Sequence, residues 1–224
     1  MQIDASTLLP AVIVVAIMLL VGLPVHEFSH ALAAYRLGDG TAKLFGRLTL
    51  NPIAHFDPLG GSLLALTFIG SAATGTPFGF GWAKPTPVNP MNLEYGRRGE
   101  AIVAAAGPLS NLVLATAGAI PLRYIIDKPQ FYGPGDIFIN TLFFFVQINL
   151  LLMIFNFIPI PPLDGSKVMF AFMDQRTVYQ VRPFLEQWGF IILILILFFP
   201  PGDSIGLRII DPILNAFLKF LVGQ

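Results

Sequence analysis

Two histidines, His26 and His30, flank Glu27 in the run His26-Glu27-Phe28-Ser29-His30. On an α-helix, residues i and i+4 share one face about one turn apart. Two imidazoles so placed suit two corners of a zinc tetrahedron, and the glutamate between them comes near the water that such a metal would activate. Motifs of this kind normally sit in water. Here no charged residue occurs from Leu8 to Val25, so the helix delivers its ligands into or beside lipid. The combination points to a zinc hydrolase working within a membrane.

Two histidines do not complete a zinc site; a third protein ligand is needed. The chain holds three histidines and no cysteine, which excludes both disulfides and a thiolate site. Asp164 is the best candidate. It follows a long apolar span, Pro159, Pro161 and Pro162 forbid a helix before it, and Gly165 permits a tight turn after it. Irregular backbone at membrane depth is tolerated only where it is buried or lines a cavity. Charge agrees with the choice: Zn²⁺ with two neutral imidazoles, Asp164 and Glu27 sums to zero, whereas a lone carboxylate at a membrane helix centre costs roughly 2.5–3.5 kcal/mol. The third histidine, His55, lies in a proline-bounded turn. It reads first as a surface turn residue and second as a supporting or gating residue near the site.

HEFSH at 26–30, joined with Asn156-x-x-Pro159-x-x-Pro162-x-Asp164-Gly165, closely resembles the site-2 protease family of intramembrane zinc metalloproteases. The resemblance runs from the first helix to about Ser166, and Ala106-Gly107-Pro108-Leu109-Ser110-Asn111 is similar to the family's AGPxxN helix. The segments Asn51–Pro58 and Phe80–Pro85 resemble those of compact prokaryotic members that lack PDZ and CBS domains. The resemblance implies His26, His30 and Asp164 as ligands of one zinc ion, Glu27 as general base, and a polar role near the active site for Asn156. It implies a transmembrane-helix protein as substrate.

The elements that must position these residues follow from composition and pattern. Of 224 residues, 55% are apolar and 12% charged, with a mean hydropathy of +0.74. Soluble domains carry roughly 25% charged residues, so the chain is expected to be an integral membrane protein in contact with the lipid bilayer. Thirteen basic against thirteen acidic residues leave no net charge, which argues against nucleic acid as a partner. The residues before Leu8 include Asp4 and no basic residue, so a cleavable signal peptide is not expected. The first helix is predicted from about Ser6 to Leu37, stopped by Gly38 and kinked at Pro24. Lys43–Leu50 reads as a short amphipathic or strand-like piece, and Thr76–Pro90, rich in Gly, Pro and aromatics, as extended strands or a hairpin. Ala101–Leu122 and Ile137–Ile158 are full spans, Pro183–Pro200 is shorter, and Leu207–Val222 spans or lies in the interface. The expectation is an all-α polytopic membrane protein with about five to six membrane segments and a small β or re-entrant element between the first and second full spans. It forms a single domain over 1–224, with a core at 6–166 and additional membrane segments at 183–222.

Parity then constrains the topology. For Asp164 to meet His26 and His30, the first span and the Ile137 span must run parallel, so the chain between them crosses an odd number of times. Leu59–Ala73, short and glycine-bearing, is the stretch expected not to cross. The site face then carries Arg36, Lys43, Arg47, Lys84, Arg97, Arg98, Lys167, Arg176 and Arg182, against Arg123 and Lys128 opposite. That bias makes the site face cytoplasmic and the N-terminus external, in a multi-pass protein of the cell membrane. Two other functions compete. A metal transporter or channel would string its ligands along a path and show an inverted repeat, and neither is present. A catalytically silent zinc scaffold has no use for Glu27 between the ligands.

Overall fold

The computed structural model describes residues 5–72, 81–128, 133, 136–200 and 204–223. The first helix is one rod in three parts: α1 (Ala5–Ile17), a wide π turn (Met18–Gly22) and α2 (Leu23–Arg36). The π turn closes with the Leu23 N–H on the Met18 carbonyl. It lies where the sequence placed a kink, and Pro24 is the reason. Proline has no N–H to donate and its ring crowds the carbonyl four residues earlier, so a widened turn relieves both. Gly38, at φ +96°, ends the rod in a conformation that other residues rarely adopt.

Two one-turn helices, α3 (Thr41–Leu44) and α4 (Pro52–His55), lead into α5 (Pro58–Ala72). The long helices follow: α6 (Arg97–Ile126), α7 (Ile137–Asn156), the short α8 (Asp164–Phe172), α9 (Gln175–Phe198) and α10 (Ile205–Val222). Side-chain caps fix several starts. Asp136 accepts from Ile139 N at 3.1 Å to begin α7, and Asp174 accepts from Thr177 N at 3.0 Å to begin α9.

Among the described residues, four helical stretches are long and apolar enough to cross a membrane: Leu9–Arg36, Arg97–Ile126, Ile137–Asn156 and Gln175–Phe198. At 1.5 Å per residue, the 15 residues of α5 reach only about 22 Å, short of a hydrocarbon core of about 30 Å. No strand occurs among the described residues, so Lys43–Leu50 forms the last two residues of α3 and a loop. Of the hairpin expected at 76–90, residues 76–80 lie outside the described ones, and 81–89 form an extended strap without a ladder. Pro85, Pro87 and Pro90 have no N–H to give to a neighbouring strand.

The helices that matter for the site run α2 up, α6 down and α7 up. His26 meets Asn111 and His30 meets Val103, so α2 and α6 are antiparallel. Asn111 meets Asn149 while Gly118 packs on Phe145 and Val146, so α6 and α7 are antiparallel too. Parallel α2 and α7 are what the parity argument requires. The main core lies between α6, α7, α9 and α10, where Ile210, Leu214, Leu218 and Val222 bury one stripe of α10. Arg208, Asp211, Asn215 and Lys219 occupy its exposed side.

Asp39, just past α2, ties the strap down. Its carboxylate is fully buried and accepts from Thr41 N at 3.1 Å, Thr41 Oγ1 at 2.5 Å, Asn89 N at 2.7 Å and Asn92 Nδ2 at 3.1 Å. Burial opposes its charge, but the bonds from Thr41, Asn89 and Asn92 outweigh that and hold the carboxyl below the usual carboxylate range. A depressed native pKa gives stability that is present above the unfolded value and lost as the pH falls through the folded one. Asp39→Asn should therefore lower stability near neutral pH by about 1–3 kcal/mol. The gap to wild type should narrow below about pH 4, which denaturation of both proteins in detergent across pH 3–7 measures.

Candidate metal centre

Three elements converge on one buried point. α2 presents His26 and His30 one turn apart, with ring centroids 4.7 Å apart and planes nearly perpendicular at 84°. Asp164 comes from the first turn of α8, whose helix dipole favours a carboxylate there. The chain cannot continue α7 through Pro159, Pro161 and Pro162, so it folds back on itself: Ile160 N donates to Ile158 O at 2.8 Å and Leu163 N to Ile160 O at 3.0 Å. Gly165 permits this return. A Cβ built on it would stand 2.6 Å from the Ile158 carbonyl oxygen and closer still to Phe157. The effect is to set Asp164 Oδ2 at 3.4 Å from His26 Nε2 and 3.1 Å from His30 Nε2, with the two Nε2 atoms 3.0 Å apart. All three side chains are buried.

The far side of each ring decides which nitrogen holds a proton. His30 Nδ1 lies 2.7 Å from the Val103 carbonyl, and His26 Nδ1 lies 2.6 Å from Asn111 Oδ1. Both partners are oxygens that can only accept, so both Nδ1 atoms donate. In the neutral rings each Nε2 then carries a lone pair, and these point at each other and at a carboxylate. Three acceptors at this spacing repel one another unless a cation lies between them. A tetrahedron with metal–ligand bonds of ~2.0–2.2 Å has edges of about 3.3–3.6 Å, close to the separations found. The donor set, its tautomers and its spacing fit zinc.

α6 closes the site from the side, and it can approach only because of Gly107. A Cβ at that position would stand 2.7 Å from His26 Cε1 and nearer still to the His30 ring. Lys167, one turn beyond Asp164, places its ammonium 3.6 Å from Oδ1, so the aspartate turns one oxygen to the imidazoles and the other to a cation. Glu27 is half-buried beside the ligands. Its Oε2 accepts from Thr86 N at 2.8 Å and its backbone carbonyl from Thr86 Oγ1 at 3.1 Å, which pins the strap against it.

The five residues singled out from the sequence, and His55, are distributed unevenly. His26, His30 and Asp164 come together, with Glu27 next to them. Asn156, at the end of α7, donates to the Leu152 carbonyl of its own helix at 2.9 Å. His55 is buried and stands apart from the ligand triad. Its Nε2 reaches Thr49 O at 2.8 Å, and its backbone carbonyl accepts from Lys84 N of the strap at 2.9 Å. Sequence reasoning did not assign roles to Gly107, Asn111, Asn149, Thr86 or Lys167. The signals available were the AGPxxN resemblance, which contains Gly107 and Asn111, and Asn149, an amide inside an apolar span, where polar groups are expensive.

Comparison with known proteins agrees with this geometry. The model of Peptidase family M50 matches residues 133–199, the stretch that holds α7, Asp164 and α9. YwhC of Bacillus subtilis strain 168, a protein named as a zinc metalloprotease, is 38% identical over 205 residues, which cover 89% of this chain and 85% of that one. The chain belongs to peptidase family M50. Rip2 of Mycolicibacterium smegmatis, also named as a zinc metalloprotease, is 32% identical over 182 residues, covering 81% of this chain and 65% of the relative. Rip2 of Mycobacterium tuberculosis H37Rv is 29% identical with the same coverage. No solved structure matches this chain significantly. The M50 member described here is thus a multi-pass membrane zinc metalloprotease of the site-2 type. Gly107→Ala should displace the imidazoles and weaken zinc binding about 10-fold or more, as chelator competition on the purified protein would register.

Proposed function

We propose that His26, His30 and Asp164 hold the zinc ion, that Glu27 is the general base, and that the substrate is a transmembrane helix of another membrane protein. The observation that carries this reading is the buried triad whose ligand atoms lie within 4.8 Å of one another, with both Nε2 lone pairs turned inward. Zinc bound there supplies Lewis acidity, which acidifies water and polarises a carbonyl. Glu27 takes the proton of the attacking water and returns it to the leaving amine. Thr86 N–H engages its Oε2, which fixes the carboxylate and leaves Oε1 to receive the proton. Asn156 spends one amide N–H on Leu152, and the other is proposed to meet the substrate backbone or the developing oxyanion. One such donor is worth roughly 2.7–4 kcal/mol in the transition state.

A peptide bond inside a helix is shielded, so the substrate must unwind before cleavage. The extended strap at 81–89, next to Glu27, is suited to hold the unwound stretch by main-chain pairing. We place the site face in the cytoplasm and the N-terminus outside the cell membrane, in keeping with the basic residues gathered on that face. Exposed Leu44, Phe45 and Ile53 beside exposed Arg36 and Lys43 support this placement, since apolar tips suit the acyl boundary and cations the anionic headgroups. In this reading 1–224 is one protease domain. α5 is inserted part-way, and α10 brings the membrane segments to six. Glu27→Gln should keep zinc and lose cleavage of a helical membrane substrate, by at least ~100-fold in kcat. Asp164→Ala should lose the metal as well. Undiminished cleavage by the Glu27 variant would overturn the mechanism.

A further inference from the structure

Two amides, Asn111 and Asn149, sit fully buried behind His26 with no exposure to solvent. Every contact they make has a direction. Asn149 Nδ2 donates to the Phe145 carbonyl at 2.8 Å and faces Met18 Sδ at 3.5 Å, both acceptors, so the nitrogen is held on that side. Its Oδ1 therefore faces Asn111 and accepts from Asn111 Nδ2 at 3.1 Å. That donation turns Asn111 Oδ1 toward His26 Nδ1, 2.6 Å away. An amide flip at Asn149 would set two NH₂ groups against each other, and relieving the clash would flip Asn111. The His26 Nδ1 would then meet a donor, and the proton would have to move to Nε2, where it blocks a metal. Buried in apolar surroundings, neither amide has water as an alternative partner.

We propose that Asn149 is a positioning residue for the zinc centre, acting on His26 through Asn111 by fixing the direction of a two-amide relay that starts at the Phe145 carbonyl. The proposal rests on His26 being a zinc ligand. It assigns a metal-site role to a residue that touches no ligand and lies on α7, which carries none of the zinc-facing atoms. The rival role is adhesion between α6 and α7, because buried amides also hold membrane helices together.

Zinc affinity of the full chain in detergent, measured by chelator competition, separates the two, with thermal melting of the zinc-free protein as the check on folding. Asn149→Leu should bind zinc about 10–100-fold more weakly than wild type, the usual loss when an outer partner of a metal-binding histidine is removed. In an Asn111→Leu background the same substitution should change the affinity by no more than about 2-fold, since the relay is already cut. Asn149→Asp, which as a buried acid keeps both an acceptor for Asn111 and a proton for Phe145, should recover most of the loss. Asn149→Ala supplies the comparison if the leucine variant does not fold. Wild-type affinity in a folded Asn149→Leu or Asn149→Ala protein, or equal losses with and without Asn111, would overturn the relay. His26→Ala tests the underlying reading separately: zinc kept there removes His26 from the ligand set, whereas zinc lost there but kept in the Asn149 variants removes only the positioning role.

Discussion

Two imidazole Nε2 atoms 3.0 Å apart, both facing a buried carboxylate, set the terms for the rest of the molecule. With both rings neutral and their protons held on Nδ1, the three inward atoms are all acceptors, and the arrangement becomes favourable around a metal ion or a shared proton. To keep it ready for zinc, the fold must hold each ring by its other nitrogen, and it does so with the Val103 carbonyl and Asn111 Oδ1. Both come from α6. α6 thus holds the outer nitrogens of both α2 imidazoles.

Close approach of α6 follows from that requirement. Val103 and Asn111 can reach the rings only if the residue between them has no side chain, and Gly107 meets this condition against both imidazoles. Behind α6 the same logic continues into α7 through Asn149. In front of it, the prolines at 159, 161 and 162 end α7 where the chain must turn, so that α8 can begin with Asp164 at its positive end. The π turn at Met18–Gly22 does the corresponding work on the first rod, since it absorbs Pro24 before the ligand turn begins.

The strap at 81–89 couples this centre to the periphery. Three of its N–H groups go to three different places: Lys84 to the His55 carbonyl, Thr86 to Glu27 and Asn89 to Asp39. Local composition, Gly, Pro and aromatics, argues for extended backbone and against helix, and the structure agrees. Proline spacing also prevents a regular ladder, so these three donors are satisfied one at a time by partners far away in sequence. His55 owes its importance in this arrangement to its main chain. Its imidazole turns to Thr49.

The triad proposed to hold the metal stood out in the sequence because of its cost, and the structure groups its three side chains. His26, Glu27 and His30 are ionisable groups in an apolar run, Asp164 is a carboxylate among prolines, and membrane energetics leave few uses for either. The helical class, the four long apolar helices and the parallel course of α2 and α7 follow from hydropathy and parity in the same way. What sequence could not specify is which neutral group stands behind each ligand. Val103 contributes a backbone carbonyl, which any residue type offers, and Gly107 contributes an absence. Asn149 is conspicuous in an apolar helix, but only its contacts with Phe145, Met18 and Asn111 give its amide a direction. Ligands announce themselves through residue type and spacing; hydrogen-bond polarity and close approach depend on which surfaces meet, and tertiary packing alone decides that.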